Sequence, residues 1–197
     1  MSSTPLVGQT LFGINLGNLK DSIREIRRSI SKRVLILEFQ KSQLVYAEVK
    51  VSNDSFIITK LNKVDLPEDS VDRGVPTDPE KMSFLIKEIC REDDIFARRT
   101  IYILPPESSF SKLINLPNNL NIHEARAYIN NPKTSLQIPI PLKQTDYDLK
   151  NTNLEDKIIN NKLLKFFYLT TIPKKLTDQI IKTLELSDLE LQRIELS

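Results

Sequence analysis

The pattern of apolar and polar positions along the chain predicts a series of short β-strands. Branched and aromatic residues are concentrated in these runs, and turn-forming residues separate them. The first three runs follow one another through short turns, so we expect an antiparallel meander. The predicted strands are Val34–Phe39, Leu44–Val51, Phe56–Val64, Ile101–Leu104, Phe110–Leu116, Tyr147–Lys150, Leu163–Thr170 and Leu189–Leu196.

A spacing of three and four residues between apolar positions predicts three helices between these strands, over residues 79–91, 123–130 and 174–186. Asp78 is a favourable N-cap for the first helix, and Pro79 suits its first position. Cys90 falls on the apolar stripe of that helix, so we interpret it as a core residue and not as a nucleophile. Strands alternating with helices predict a mixed α/β fold.

The first 32 residues differ from the rest of the chain. Residues 1–18 are rich in Ser, Thr, Gly and Asn, which is typical of a mobile tail. Residues 19–31 then place Leu19, Ile23, Ile26 and Ile30 on one narrow helical stripe. The basic side chains around this stripe include Lys20, Arg24, Arg27 and Arg28. Such a helix either docks on a protein surface or lies on an anionic membrane surface, and the sequence leaves both interpretations open.

Composition excludes several classes of function. The 197 residues carry a net charge of +2, and no aromatic or polar base-reading set accompanies the basic residues, so we expect no nucleic-acid partner. A single cysteine and a single histidine leave neither a disulfide nor a His- or Cys-based metal or catalytic site. No apolar run reaches the roughly 20 residues of a membrane span, and the N-terminus lacks a signal-peptide pattern. We therefore expect a cytoplasmic protein.

Glycine is scarce in this chain. It contains four glycines, and three of them lie within the first 17 residues. Loops that bind phosphates use glycine to bring backbone N–H groups close to the anion. Only Gly74 remains for such a role in the rest of the chain, so a phosphate-binding loop is not expected.

The stretch from Thr100 to Leu142 carries an ordered set of motifs. Pro105-Pro106 separates two predicted strands, Leu116-Pro117 ends the second strand, and an I-P-I-P-L segment follows a helix-like region. Proline donates no backbone hydrogen bond, so these positions should leave strand edges unpaired. Other motifs keep a consistent order along the chain: V-D-R-G-V-P-T-D-P-E at 71–80, D-Y-D-L at 146–149, and a strand, helix and strand from 167 to 196.

This set resembles the type IV pilus assembly protein PilM family, whose fold is actin-like and related to that of the division protein FtsA. The resemblance covers residues 33–196 and corresponds to the first half of a full-length member. It implies an actin-like (ribonuclease H-like) half with a small inserted FtsA-type subdomain. The predicted division is a tail and basic helix at 1–32, a core at 33–105 and 163–197, and the inserted subdomain at 106–162.

The resemblance also indicates where a nucleotide would bind. In actin-like ATPases the first hairpin carries an acidic residue and a glycine-rich turn around the phosphates. The matching positions here are Glu38, Phe39, Gln40, Lys41 and Ser42. Ile36 and Gln40 stand where the glycines would be, and their β-carbons would crowd a phosphate. We therefore expect no cofactor and no catalysis. The alternative is a nucleotide-binding actin-like ATPase that binds ATP and is completed by a second chain.

The resemblance implies a protein partner. PilM-type proteins bind the cytoplasmic tail of PilN, an inner-membrane protein, in a groove between the core and the inserted subdomain. The residues predicted to line this groove are Leu113, Ile114, Leu116, Pro117, Ile138, Ile140 and Leu142. The chain's own Ile14-Asn15-Leu16 resembles the I-N-L core of the PilN peptide, either by coincidence or as a mimic. We expect a non-catalytic adaptor of pilus assembly and twitching motility, peripheral to the inner membrane.

Overall fold

The structure is a computed structural model and describes residues 10–11, 14–15, 32–51, 55–131 and 144–197. At the N-terminus, the two-residue strands β1 (Thr10–Leu11) and β2 (Ile14–Asn15) pair antiparallel. The rest of the predicted tail and the predicted basic helix lie outside the described residues.

A five-stranded mixed sheet forms the first half of the fold. Its strand order is β13-β8-β3-β4-β5. The strands are β3 (Arg33–Phe39), β4 (Gln43–Val51), β5 (Phe56–Asp65), β8 (Arg99–Leu104) and β13 (Glu190–Leu196). The meander β3-β4-β5 is antiparallel, whereas β8 pairs parallel with both β3 and β13. The predicted α/β fold class is therefore confirmed.

Two helices cover one face of this sheet, which we call the first face. They are α1 (Pro79–Glu92) and α3 (Lys174–Leu186). The Asp78 carboxylate accepts hydrogen bonds from the backbone N–H groups of Glu80 and Lys81, so the predicted N-cap is present. Alternate residues of the strands pack against the helices. The largest completely buried side chains of this core are those of Leu35, Leu37, Phe39, Leu44, Ile86, Ile95, Tyr102, Leu104 and Ile180.

A second sheet forms a separate layer with its own core. Its strands are β9 (Phe110–Pro117), β10 (Thr145–Asn151), β11 (Lys157–Ile159) and β12 (Lys162–Pro173), and α2 (Ile122–Asn130) packs against it. The long β12 lies in the middle, with β9 on one side and β10 and β11 on the other. Asn121 and Glu124 form a capping box at the start of α2. Buried Leu116, Phe167 and Leu169 fill this second core.

The position of β12 corrects the predicted subdomain boundary. The resemblance implied a core at 33–105 and 163–197, which would place residues 163–173 in the first sheet. In the structure all of β12 pairs with β9, β10 and β11, so the second sheet includes residues 162–173. β12 is twelve residues long and runs across the whole second sheet, so the chain returns to the first sheet only with α3.

A short hairpin closes the corner between the two sheets. It consists of β6 (Val71–Asp72) and β7 (Val75–Pro76). Gly74 lies in its turn with φ +71, and a β-carbon there would come within 2.2 Å of Pro105 Cδ. The buried Tyr102 hydroxyl donates to the Gly74 carbonyl at 2.7 Å, and its ring stacks on Phe39. Ser108 Oγ donates to the carbonyl of Arg73 on the same turn.

We expect Gly74→Ala to lower the free energy of unfolding by about 2–4 kcal/mol, because it adds both left-handed backbone strain and a steric overlap with Pro105. Arg73 is the matched control, since it also has a positive φ (45°) but is a non-glycine residue. Arg73→Gly should leave stability unchanged or slightly higher. Urea unfolding of the three proteins measures both effects, and equal midpoints for Gly74→Ala and the wild type would contradict this prediction.

Candidate functional site

The hairpin turn between β3 and β4 is built without glycine. Phe39 pairs with Leu44, and the N–H of Gln40 donates to the carbonyl of Gln43 at 2.8 Å. The carbonyl of Ser42 accepts a hydrogen bond from the N–H of Leu66, which ties the turn to the end of β5. The N–H of Gln40 is therefore engaged inside the hairpin and does not point at a ligand.

The side chains around this turn are mostly solvated. Phe39 is buried in the first core, whereas Gln40, Lys41 and Ser42 are exposed and Glu38 is half-buried. The Gln40 amide lies 3.4 Å from a Glu38 carboxylate oxygen. Within the described ranges no group of three or more His, Cys, Asp or Glu residues has a metal-binding arrangement.

The predicted partner-binding residues divide into two groups. Ile114 and Leu116 are buried in the second core, where they pack against α2 and β12. Their assignment to a partner surface is therefore corrected, because β9 alternates and these two side chains point to the core side. Leu113 is 42% exposed and Pro117 is half-buried. The other predicted groove residues (Ile138, Ile140, Leu142) and the predicted membrane-surface residues (Lys20, Arg24, Arg27, Arg28) lie outside the described residues.

The outer edge of β9 is open in the part of the chain that the structure describes. One edge of β9 pairs with β12 from Phe110 to Pro117, and no described strand pairs with the other edge. Leu113 lies near the middle of this strand. Natural proteins usually cover or charge such edges because the free N–H and C=O groups accept a further strand. The open edge beside an exposed leucine is therefore suited to an extended peptide.

β4 also carries a buried carboxylate, Glu48, that was not among the residues predicted from the sequence. Its side chain is completely buried, and it is the only buried Asp or Glu in the described ranges. One carboxylate oxygen accepts the N–H groups of Phe96 (2.6 Å) and Ala97 (2.8 Å). The other accepts from Arg33 at 2.6 Å and from the Thr59 hydroxyl at 2.8 Å. In the sequence, the alternation of Leu44, Tyr46 and Glu48 was the signal that could have placed Glu48 on the first face of the sheet.

These hydrogen bonds control the ionisation of Glu48. Burial alone raises the pKa of this carboxyl, but the donors Thr59, Arg33, Phe96 and Ala97 together hold it below its ordinary value of 4.5. The charge therefore stays on Glu48 at neutral pH and fastens the segment between α1 and β8 to β4. The neighbouring Tyr46 hydroxyl donates to the Asp93 carboxylate in the same segment. Burial and this bond raise the pKa of Tyr46 well above its ordinary value. The contacts of Glu48 and Tyr46 thus both hold the segment between α1 and β8 against β4.

Comparison with known proteins gives no match to a protein-family model and none to a curated protein. Solved structures do match. A chain of the PilM–PilN type IV pilus biogenesis complex aligns with a TM-score of 0.68 and 18% identity, over 83% of this chain and 47% of that one. This chain therefore has a fold similar to that of the matched chain of the PilM–PilN complex. The cytoplasmic domain of EpsL, an inner-membrane component of the Vibrio cholerae type II secretion system, aligns with a TM-score of 0.50 and 8% identity.

The matching structures are longer than this chain. It covers 47% of the PilM–PilN chain and 56% of the EpsL chain, so the similarity concerns about half of each. The predicted resemblance to PilM is thus confirmed at the level of the fold. Among the described residues, the helices are too short or too polar to cross a membrane.

We expect Glu48→Gln to lower the free energy of unfolding by about 2–3 kcal/mol at pH 7, because it removes the charge that faces Arg33 and two backbone donors. The folded-state pKa of Glu48 is lowered, so its contribution is complete above the unfolded-state pKa and is lost as pH falls through the folded value.

The stability difference between wild type and Glu48→Gln should therefore shrink as pH falls below about 4.5. Denaturant unfolding between pH 3 and pH 7 measures it. The exposed Glu155 is the control, and Glu155→Gln should have little effect at any pH. A Glu48→Gln difference that grows on acidification would contradict the role given to the carboxylate.

Proposed function

We propose that this protein is a non-catalytic adaptor that binds the extended cytoplasmic tail of an inner-membrane partner. The observation that carries the proposal is the open edge of β9 beside the exposed side chain of Leu113. A peptide that adds to this edge gains main-chain hydrogen bonds along its length, while Leu113 supplies an apolar contact.

The PilM-like fold supports this type of partner. The solved structure with that fold is a complex of PilM with PilN in type IV pilus biogenesis. The second matching structure belongs to an inner-membrane component of a type II secretion system. The second match supports an assembly that includes an inner-membrane protein, and the first supports a PilN-like tail as the partner. We therefore propose that this chain acts at the cytoplasmic side of that membrane.

The β3–β4 turn favours recognition over nucleotide chemistry. A phosphate at this turn would meet the β-carbon of Gln40 and a backbone N–H that is already bonded to Gln43. The exposed Lys41 offers a charge on a flexible side chain, but anchored backbone donors are what position a phosphate for transfer. An adaptor needs no such donors.

Peptide binding should depend on Leu113. We expect a fluorescently labelled peptide containing I-N-L to bind the full chain, and Leu113→Asp to weaken binding by about tenfold or more, equivalent to about 1.4 kcal/mol, because it places a charge beside the open edge. The chain carries Ile14→Asp in all samples so that its own I-N-L segment does not compete. Fluorescence anisotropy titration gives the dissociation constants.

Leu163 provides the matched control for this experiment. It is also a leucine on the second sheet, is 45% exposed, and pairs with β11 on the side of β12 away from β9. Leu163→Asp should leave the dissociation constant unchanged. Equal weakening of peptide binding by the two substitutions would refute the assignment of β9 as the peptide site. Absence of binding to the protein that carries only Ile14→Asp would also refute it.

Nucleotide binding should be absent. We expect ATP with magnesium to leave the melting temperature unchanged, because the turn contains no glycine and the N–H of Gln40 is already bonded to Gln43. A ligand present at 100 times its dissociation constant would stabilise the protein by about 2.7 kcal/mol, which differential scanning fluorimetry detects easily. A reproducible shift of that size, lost in Lys41→Ala, would favour the actin-like ATPase alternative.

A further inference from the structure

A groove lies beside α1, at the end of the first sheet where β5 stops. The loop that follows β5 forms one wall of this groove, and α1 forms the other. Its volume is about 480 Å³, which is large enough to receive several side chains of a partner. The lining residues all belong to the described ranges, so the groove is built by described residues alone.

The two walls of the groove differ in chemistry. On the α1 wall Phe84 is 73% exposed, and the half-buried Leu85 lies beside it. The loop wall carries the exposed carboxylates of Asp65, Glu68 and Asp69. Within the described residues, none of these three carboxylates belongs to an ion pair. An exposed phenylalanine opposite unpaired carboxylates is suited to a partner that is both apolar and basic.

The groove is acidic as a whole, although the chain is not. Asp78 and Glu88 also line it, and Lys81 is the basic residue among its lining residues. The whole chain has 28 basic and 26 acidic residues, so this concentration of carboxylates is local. Asp78 caps α1, and Glu88 lies 3.7 Å from Arg91. The loop wall therefore supplies the carboxylates that remain for a partner.

A hairpin at the far end of the second sheet has the matching chemistry. β11 and the start of β12 form it, and its turn consists of the asparagines at 160–161, which both have a positive φ. On one face Ile158 pairs with Leu163, and these side chains are 74% and 45% exposed. The exposed neighbours Lys157 and Lys162 point to the other face, because side chains alternate along a strand. We call residues 157–163 the tip.

Lys162 is the free charge of the tip. It follows the turn directly, and it belongs to no ion pair among the described residues. Lys157 is partly engaged, since its Nζ lies 5.8 Å from the centre of the Phe166 ring. The acidic residues 155–156 precede β11, at the end of that strand away from the turn. The outermost part of the tip is therefore apolar on one face and basic on the other.

We propose that the tip of one copy of this chain docks in the groove of a second copy. The apolar face of the tip meets Phe84 and Leu85 on the α1 wall, and Lys162 meets Glu68 and Asp69 on the loop wall. Two opposite faces of the hairpin thus match two opposite walls of the groove, in charge as well as in polarity. The net charge of +2 opposes the association of copies only weakly.

The contact joins two molecules and not two parts of one. Thr171 of β12 pairs with Phe110, close to the corner between the sheets, and from there β12 extends about 30 Å to Lys162 at about 3.3 Å per residue. The groove adjoins the same corner, because Ser70 and Thr77 line it and flank the β6–β7 hairpin. The tip is therefore too far away to reach the groove of its own chain.

The tip and the groove are different surfaces, so a single contact leaves one tip and one groove free. Copies joined in this way extend into filaments unless the contacts close into a ring or a two-fold pair. Small interfaces bind weakly, so free chains should associate only at high concentration. Copies that a common partner holds close together should associate more readily.

Sedimentation velocity of the full chain from about 1 μM to about 1 mM protein tests the charged part of the contact. We expect the wild type to associate as its concentration rises. Lys162→Glu and Glu68→Lys should each weaken this association about fivefold or more, because an attractive pair becomes repulsive. An equimolar mixture of the two variants should associate as the wild type does, since opposite charges then face each other between unlike chains. Glu107→Lys is the control, at an exposed carboxylate outside the groove, and should change nothing.

The apolar part of the contact has a matched pair of substitutions. Phe84 and Phe56 are 73% and 71% exposed, and only Phe84 lines the groove. Phe84→Ala should weaken association about fivefold or more, because the burial of its ring is lost, whereas Phe56→Ala should leave it unchanged. Circular dichroism verifies that both variants keep the fold.

Three results would each overturn the proposal. One is a wild-type chain that stays monomeric up to about 1 mM. Another is a mixture of Lys162→Glu and Glu68→Lys that remains as dissociated as each variant alone. The third is equal weakening of association by Phe84→Ala and Phe56→Ala.

The contact between copies and the peptide site on β9 fail or stand separately. Leu163 lies in the tip, so Leu163→Asp should weaken association while peptide binding stays unchanged. Leu113 lies on β9 outside the tip, so Leu113→Asp should weaken peptide binding while association stays unchanged. Loss of association in Leu113→Asp but not in Leu163→Asp would contradict the assignment of the tip.

Discussion

The contact of the β6–β7 hairpin with the corner at Pro105 determines how the two sheets are joined. Gly74 presses against the Pro105 ring at a distance that no β-carbon tolerates, and Tyr102 holds the Gly74 carbonyl from inside the core. Ser108 then binds the carbonyl of Arg73. Because β9 begins at Phe110, directly after this corner, the position of its open edge depends on the same contact.

The two sheets offer different kinds of surface. The first sheet has helices on one face, and buried Glu48 fastens the segment between α1 and β8 to β4. The second sheet has an open backbone edge at β9. Apolar faces bind by area, whereas strand edges bind by directed hydrogen bonds. The open edge of β9 is therefore suited to an extended peptide.

Local patterns located most elements of the fold. The cap at Asp78 and the apolar spacing after it predicted 79–91, and the helix spans Pro79–Glu92. The apolar positions of β13 alternate imperfectly in the sequence, and the structure gives the reason. A bulge between Leu191 and Arg193 allows Leu191 and Ile194 both to face the core. A bulge depends on the partner strand, so the sequence of β13 alone shows only a break in the period.

The sequence by itself determined the types of most elements, the N-cap at Asp78 and the scarcity of glycine at the β3–β4 turn, because these depend on residues close together in the chain. The tertiary structure decided which sheet β12 joins, that Ile114 and Leu116 face a core, and that Glu48 has four donors. Each of these depends on residues far apart in sequence, such as Glu48 and Ala97. The alternation of residues along a strand predicts which side chains share a face of the sheet. Only the packing of the layers decides whether that face lies in the core, against a partner or in solvent.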